Sequence, residues 1–163
     1  MNCPGCGAPL RLDPGQDFLR CDYCKGAYVP EKNDDGARVL GETSPLACPV
    51  CATHLVQAAL AGHRVLYCEA CRGMLLGMDV FVPLIGELRA RREGAGAIQG
   101  AADRSGLARH IRCPQCGRPM DTHFYEGPGN IIIDDCSPCS LNWLDYGELS
   151  RIVRAPDRSY SAS

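Results

Sequence analysis

Aromatic side chains are scarce in this chain of 163 residues: it has one Trp, three Phe and six Tyr. No stretch approaches the roughly 20 apolar residues needed to cross a bilayer, so no membrane helix is expected. The opening residues MNCPGCG carry no basic start, apolar run or cleavage site, and no secretory signal is expected there. Positive charge is not in excess either. The 17 Lys and Arg stand against 19 Asp and Glu, a formal net charge of −2. That balance disfavours general binding to phosphate backbones. No Ser/His/Asp arrangement, glycine-rich phosphate loop or spaced carboxylate pair stands out. Finally, no cysteine is left without a neighbour at Cys-x-x-Cys spacing.

The 12 cysteines are what the chain has instead. They form six pairs in three matched sets: Cys3/Cys6 with Cys21/Cys24, Cys48/Cys51 with Cys68/Cys71, and Cys113/Cys116 with Cys136/Cys139. The intervening loops are 14, 16 and 19 residues. Two Cys-x-x-Cys pairs at such a distance read as a tetrahedral metal site. Each set opens with Cys-Pro, and a unit repeated three times is stronger evidence than one pair alone. Units this small are expected to be too short for a self-sufficient apolar core, so a staple must supply the folding energy. Disulfides would serve a secreted chain, but a reducing cytoplasmic compartment favours metal. Zinc is the expected ion, three in all, although an all-sulfur tetrahedron also suits iron. Four thiolates around Zn²⁺ leave each site at −2, which brings the loaded chain to about −8.

The expected fold is a small metal-stabilised, β-rich protein of three tandem four-cysteine zinc ribbons, with short helices after ribbons two and three. Ribbon 1 spans 1–30, with a strand at Leu10–Leu12, a type II turn over Asp13–Gln16 and a return strand at Phe18–Arg20. Residues 31–45, polar and Gly-bearing, read as a linker. Ribbon 2 and its helix span 46–93. Strands at Leu55–Leu60 and His63–Tyr67 meet at Ala61-Gly62. Phe81, Leu84, Ile85 and Leu88 fall on one face of a helix over roughly 80–92, with Asp79 as its N-cap. Residues 94–110 are a Gly/Ala/Arg-containing linker. Ribbon 3 and its helix span 111–154, with strands at Thr122–Tyr125 and Ile131–Ile133. Asp145 and Glu148 have capping-box spacing at the head of the last helix. The tail, 155–163, is expected to be disordered.

The segment CPQCGRPM…CSPCSLNWLDYGEL, from Cys113 to Leu149, resembles the zinc ribbon family named after transcription factor IIB. Trp143, Leu144, Asp145, Gly147, Glu148 and Leu149 carry the family's ending. Unit two is a divergent copy, with Gly73 kept but Leu75 at the position of Trp143; unit three has Leu141 where a Gly is usual. Unit one lacks the Trp-Leu-Asp ending. The resemblance implies a structural zinc per ribbon and contact with proteins or nucleic acid, and no reaction.

Four thiolates close a tetrahedron and leave no position for an activated water, so a catalytic metal is not expected. A redox Cys-x-x-Cys calls for a strand–helix setting with a single pair. His54, His63, His110 and His123 are not needed as ligands and read as surface or hairpin residues. The expected role is non-catalytic: a zinc-binding adaptor that contacts another protein, with no small-molecule substrate and no membrane. The alternative is a nucleic-acid or transcription-associated factor using the basic segment 89–112, where six arginines meet only Glu93 and Asp103. Candidate partner contacts are Arg89, Arg91, Arg92, Trp143 and Tyr146. For Trp143 the alternative is burial over its own hairpin.

Overall fold

The structure is a computed structural model and describes residues 1–13, 16–92, 107–125 and 131–155. Two antiparallel sheets carry the three cysteine sets. Strands β1 (Leu10–Leu12), β2 (Leu19–Cys21) and β3 (Ala27–Tyr28) form a small sheet in sequence order. The remaining strands are β4 (Ala37–Ala47), β5 (His54–Leu60), β6 (His63–Tyr67), β7 (Met74–Gly77), β8 (Asp121–Phe124), β9 (Ile132–Cys136) and β10 (Leu141–Leu144). They make one seven-stranded sheet in the order β4-β5-β6-β7-β10-β9-β8. Helix α1 (Met78–Arg91) follows β7, and α2 (Glu148–Arg154) follows β10.

Ribbons 2 and 3 are therefore not separate beads. Their last strands, β7 and β10, pair antiparallel, with Leu75 opposite Trp143 and Met74 opposite Leu144. The two-residue period of a strand then divides the side chains. Met74, Leu76 and Leu144 join Val56, Ala58, Val65, Tyr67 and Ile133 on the face covered by the helices. Phe81, Leu84 and Ile85 from α1 and Leu149 and Ile152 from α2 complete that core, with Leu88 packed against it. This is the helix face expected from the spacing. Leu75 and Trp143 point to the opposite face, where they meet Leu55, Ile111, Met120 and the buried cysteines of both ribbons. The expectation that each ribbon lacks a core thus fails for ribbons 2 and 3, because they bury their apolar faces jointly. It holds for ribbon 1, whose buried residues Cys3, Leu19, Cys21 and Pro30 belong to neither apolar cluster.

The hairpin at Ala61-Gly62 forms as expected. Both residues have positive φ, 49° and 83°, the mirror-image turn whose twist suits a two-residue hairpin. Residues 37–45 differ from the expected linker: they are most of β4, the sheet's first edge strand. Gly41 and Pro45 read as breakers, yet β4 slips register between Val39 and Thr43 and again between Thr43 and Ala47. Bulges on an edge strand accommodate both residue types. Helix α1 begins at Met78 behind Gly77, not at a cap by Asp79. Helix α2 begins at Glu148 behind Gly147, so Asp145 is not its N-cap. Half of the expected capping box survives: the Asp145 N–H donates to Glu148 Oε2 at 2.8 Å. Pro14 and Gly15 of the expected turn lie outside the described residues, as do the Gly127–Asn130 turn, 93–106 of the second linker and 156–163 of the tail.

Ribbon 1 lies against β4. Met1, Leu10, Leu12 and Leu19 face Leu40 and Gly41 across a groove. Arg64 donates to the Asp13 carbonyl at 3.0 Å and to the Gln16 carbonyl. Among the described residues, no helix is long and apolar enough to cross a membrane.

Candidate metal centres

Four of the six cysteine pairs sit on the same tight backbone loop, while the Cys136/Cys139 knuckle closes through the Ser140 N–H to the Ser137 carbonyl at 3.1 Å. In the first knuckle the Cys3 N–H bonds the Ala8 carbonyl at 2.7 Å and the Gly7 N–H returns to the Cys3 carbonyl at 2.8 Å. The pattern recurs at Cys48 with Thr53 and Ala52, at Cys68 with Gly73 and Arg72, and at Cys113 with Arg118 and Gly117. The residue after the second cysteine has positive φ in all six knuckles: Gly7, Lys25, Ala52, Arg72, Gly117 and Ser140. Only two of these are glycine. The left-handed conformation costs a side-chain-bearing residue roughly 1–2 kcal/mol, and the four exceptions are held there by the loop that aims both sulfurs one way.

The loops bring the sulfurs together as the spacing predicts. Within each of the sets Cys3/Cys6/Cys21/Cys24, Cys48/Cys51/Cys68/Cys71 and Cys113/Cys116/Cys136/Cys139, all four Sγ atoms lie within 4.8 Å of one another. Sγ atoms from opposite knuckles are 3.6 Å apart for Cys3–Cys24, 3.5 Å for Cys6–Cys21 and Cys48–Cys71, 3.4 Å for Cys51–Cys68 and 3.7 Å for Cys116–Cys136. A tetrahedron with zinc–sulfur bonds of about 2.3 Å has edges of about 3.8 Å. A disulfide needs sulfurs at about 2.05 Å, and all twelve cysteines are free thiols. The donor sets fit three zinc ions, one per ribbon, and the protein is a zinc-binding protein.

The protein prepares these sulfurs for a cation. Backbone N–H groups point at them, as Val50 does at Cys48 Sγ (3.4 Å) and Cys71 at Cys68 Sγ (3.5 Å). The Cys24 amide brings the Cys21 thiol down to about 7, and the Arg118 amide does the same for Cys116. The Thr53 hydroxyl, 3.4 Å from Cys51 Sγ, takes that thiol down to about 6. Hydrogen bonds to the negative form favour it, so Cys21, Cys51 and Cys116 give up their protons most readily, while Cys6 and Cys139, on the other side of the shared sulfur contacts, are pushed up to about 12. In every pair one sulfur faces inward and its neighbour outward: Cys3, Cys21, Cys48, Cys68, Cys113 and Cys136 are buried. Cys6, Cys24, Cys51 and Cys116 are exposed, and Cys71 and Cys139 are partly so.

The other expected site residues are placed differently from one another. Trp143 is completely buried, so it does not face a partner. It packs among Ile111, Met120 and the buried cysteines of its own ribbon and also reaches across the seam to ribbon 2, with its indole against Gly73. Arg89 donates to the Ile152 carbonyl at 2.9 Å, and Arg92 to the Val153 carbonyl at 2.8 Å and the Ala155 carbonyl at 2.5 Å. Two of the three arginines offered as partner contacts thus cap the last turn of α2, where unpaired carbonyls favour cations. Arg91 is largely exposed, 4.0 Å from Glu87 one turn away. Tyr146 is 56 % exposed and lies under the Arg72 guanidinium at 4.5 Å.

Sequence reasoning missed a polar network behind ribbon 3. Arg109 sits between Asp134 (2.6 Å) and Asp145 (2.7 Å). Thr122 donates to Asp134 at 2.5 Å, and the Trp143 indole N–H donates to Asp145 at 3.0 Å. Asp134 is 2 % exposed. Its buried charge stands because Arg109 and Thr122 meet it. Burial, with the Asp145 and Asp134 carboxylates nearby, pushes Glu148 up to about 8. Arg109 looked like one more member of a basic run; only the alternation of Ile133 and Asp134 along β9 hinted otherwise. Asp135 pairs with His123 at 2.5 Å, and His63 with Glu87 at 3.0 Å, so neither histidine is a metal ligand.

Neither the curated proteins nor the solved structures hold a match to the chain. Residues 112–155, which carry the third cysteine set, β10 and α2, match the family model described as a transcription factor zinc-finger, the TFIIB-type zinc ribbon.

Proposed function

We propose that this is a non-catalytic, intracellular adaptor whose zinc ribbons present a rigid surface to another protein. The observation that carries this reading is the saturation of each site: four sulfurs surround each centre, and none is replaced by a weaker ligand that water could displace. Such a site supports shape, not turnover. The surface left over fits protein contact. Tyr23, between Cys21 and Cys24, is 83 % exposed and Val29 is 53 % exposed, both on the ribbon that shares in neither apolar cluster.

A nucleic-acid role is the second reading, favoured by the transcription factor description of the family matched at 112–155. Against it, Arg89, Arg92, Arg109 and Arg112 all make contacts inside the protein, Arg112 with the Gly117 carbonyl at 3.1 Å. The two readings part in one experiment. A photo-crosslinking residue at position 23 of the zinc-loaded chain is expected to trap one discrete protein in cells. Random DNA and RNA are expected to bind weakly. A salt-sensitive nucleic-acid complex that weakens in Arg91→Ala would reverse the order.

A further inference from the structure

The β7–β10 seam joins two equivalent strands. Leu75 and Trp143 each stand four residues after the last cysteine of their ribbon, and they are partners in the register. A pseudo-two-fold axis therefore runs through this pair. If the two ribbons were alike, each would place the same side chains at the same points of the seam. They do not. Two residues after the last cysteine, ribbon 2 has Gly73 and ribbon 3 has Leu141.

These four residues sort into complementary pairs. A Cβ added to Gly73 would lie 2.7 Å from Trp143 Cη2 and closer still to Cζ2, inside the ring's van der Waals envelope. Gly73 does not have positive φ, so the backbone would accept any side chain; only the indole forbids one. On the other side of the axis Leu75 and Leu141 share the same apolar cluster. One half of the seam is a large ring over a bare backbone, the other a leucine with a leucine. Two copies of ribbon 3 paired in this register would set each Trp143 over the other's Leu141, where even one carbon does not fit. Two copies of ribbon 2 would set Leu75 over Gly73 twice and leave a void where the indole stands. Overpacking and cavities both destabilise.

We propose that the seam is a self-sorting interface. Ribbon 3 accepts as its sheet partner a ribbon with bare glycine two residues after its last cysteine, which here is ribbon 2 and not a second ribbon 3. Specificity of this kind comes from the clash built against the wrong partner as much as from contact with the right one.

Two measurements on the zinc-loaded full chain test this. The first is a thermal double-mutant cycle followed by far-UV circular dichroism. Gly73→Ala is expected to lower the Tm by about 5 °C in the native background. In a Trp143→Leu background the same change should have no cost or raise the Tm. If Gly73→Ala alone does not fold, the double variant should still do so. An equal loss in both backgrounds, or failure of the double variant as well, overturns the proposal. The second uses a protease site introduced within 93–106 and cut after folding. Native mass spectrometry should show the halves held one to one. Ribbon 3 halves paired with each other, or halves that separate, would overturn it.

Discussion

Cys3, Cys6, Cys21 and Cys24 clamp a three-stranded sheet that has no share in either apolar cluster, whereas the other eight cysteines belong to one seven-stranded sheet backed by two helices. The positive φ after each second cysteine is common to both regions. What differs is everything the metal does not touch. In ribbon 1 the ion stands in for a core. In the ribbon 2–3 pair it works alongside one, since Leu84, Leu144, Ile152 and Trp143 are completely buried there. One ligand set can therefore serve as the sole staple of a hairpin or as the end-clamp of a larger domain. Structural zinc contributes on the order of 10 kcal/mol to a small site, and ribbon 1, which has only its contact with β4 beside it, leans on that contribution most.

Three substitutions sharpen this contrast, from the largest expected effect to the smallest. Leu84→Ala removes a fully buried side chain from the shared core and should cost about 2–5 kcal/mol. The Tm of the ribbon 2–3 pair should fall while ribbon 1 keeps its zinc. Loss of zinc from ribbon 1 in the same variant would mean that the two regions fold as one. Arg109→Ala leaves Asp134 buried without its cation; since Arg109 is about a third exposed, the loss should be about 2 kcal/mol, below that of a fully buried pair. Denaturant unfolding of the pair measures it.

The third concerns pH. Glu148 is raised from 4.5 to about 8 by burial and by the neighbouring carboxylates. A carboxyl held up in the fold binds its proton more tightly folded than unfolded. Its contribution is complete below about pH 4.5 and is lost as pH rises through about 8. Glu148→Gln mimics the neutral form, so it should match the native chain near pH 5 and exceed it near pH 9, read as a Tm difference. An equal difference at both pH values would place the carboxyl in solvent.

How much of this was legible depended on the range of each interaction. The metal sites were readable because the ligand spacing is local and chemical: Cys-x-x-Cys fixes a loop, and two loops fix a tetrahedron. The Ala61-Gly62 hairpin and the Phe81/Leu84/Ile85 helix face were readable for the same reason, being local patterns of turn and period. β4 was not, because Gly41 and Pro45 look like breakers unless a sheet edge with bulges is there to hold them. Nor were β7 and β10. MLLG runs straight into a helical pattern, and a four-residue strand has too few alternations to declare itself. That Arg89 and Arg92 hold the end of α2 was out of reach for the same reason. Their acceptors are carbonyls of α2 some 60 positions further along the chain, and no local pattern points to them. Gly73 was visible as a retained glycine, but its reason, the ring of Trp143, lies 70 positions away.

The most direct measurement is a chelator titration of the three-zinc protein, with released zinc counted while the emission of its single tryptophan is followed. Ribbon 1 should surrender one ion first, with Trp143 emission unchanged. The remaining two should leave at higher chelator, together with a red shift as the seam opens. Fewer than three ions per chain, or a tryptophan signal that moves with the first ion released, would contradict the account.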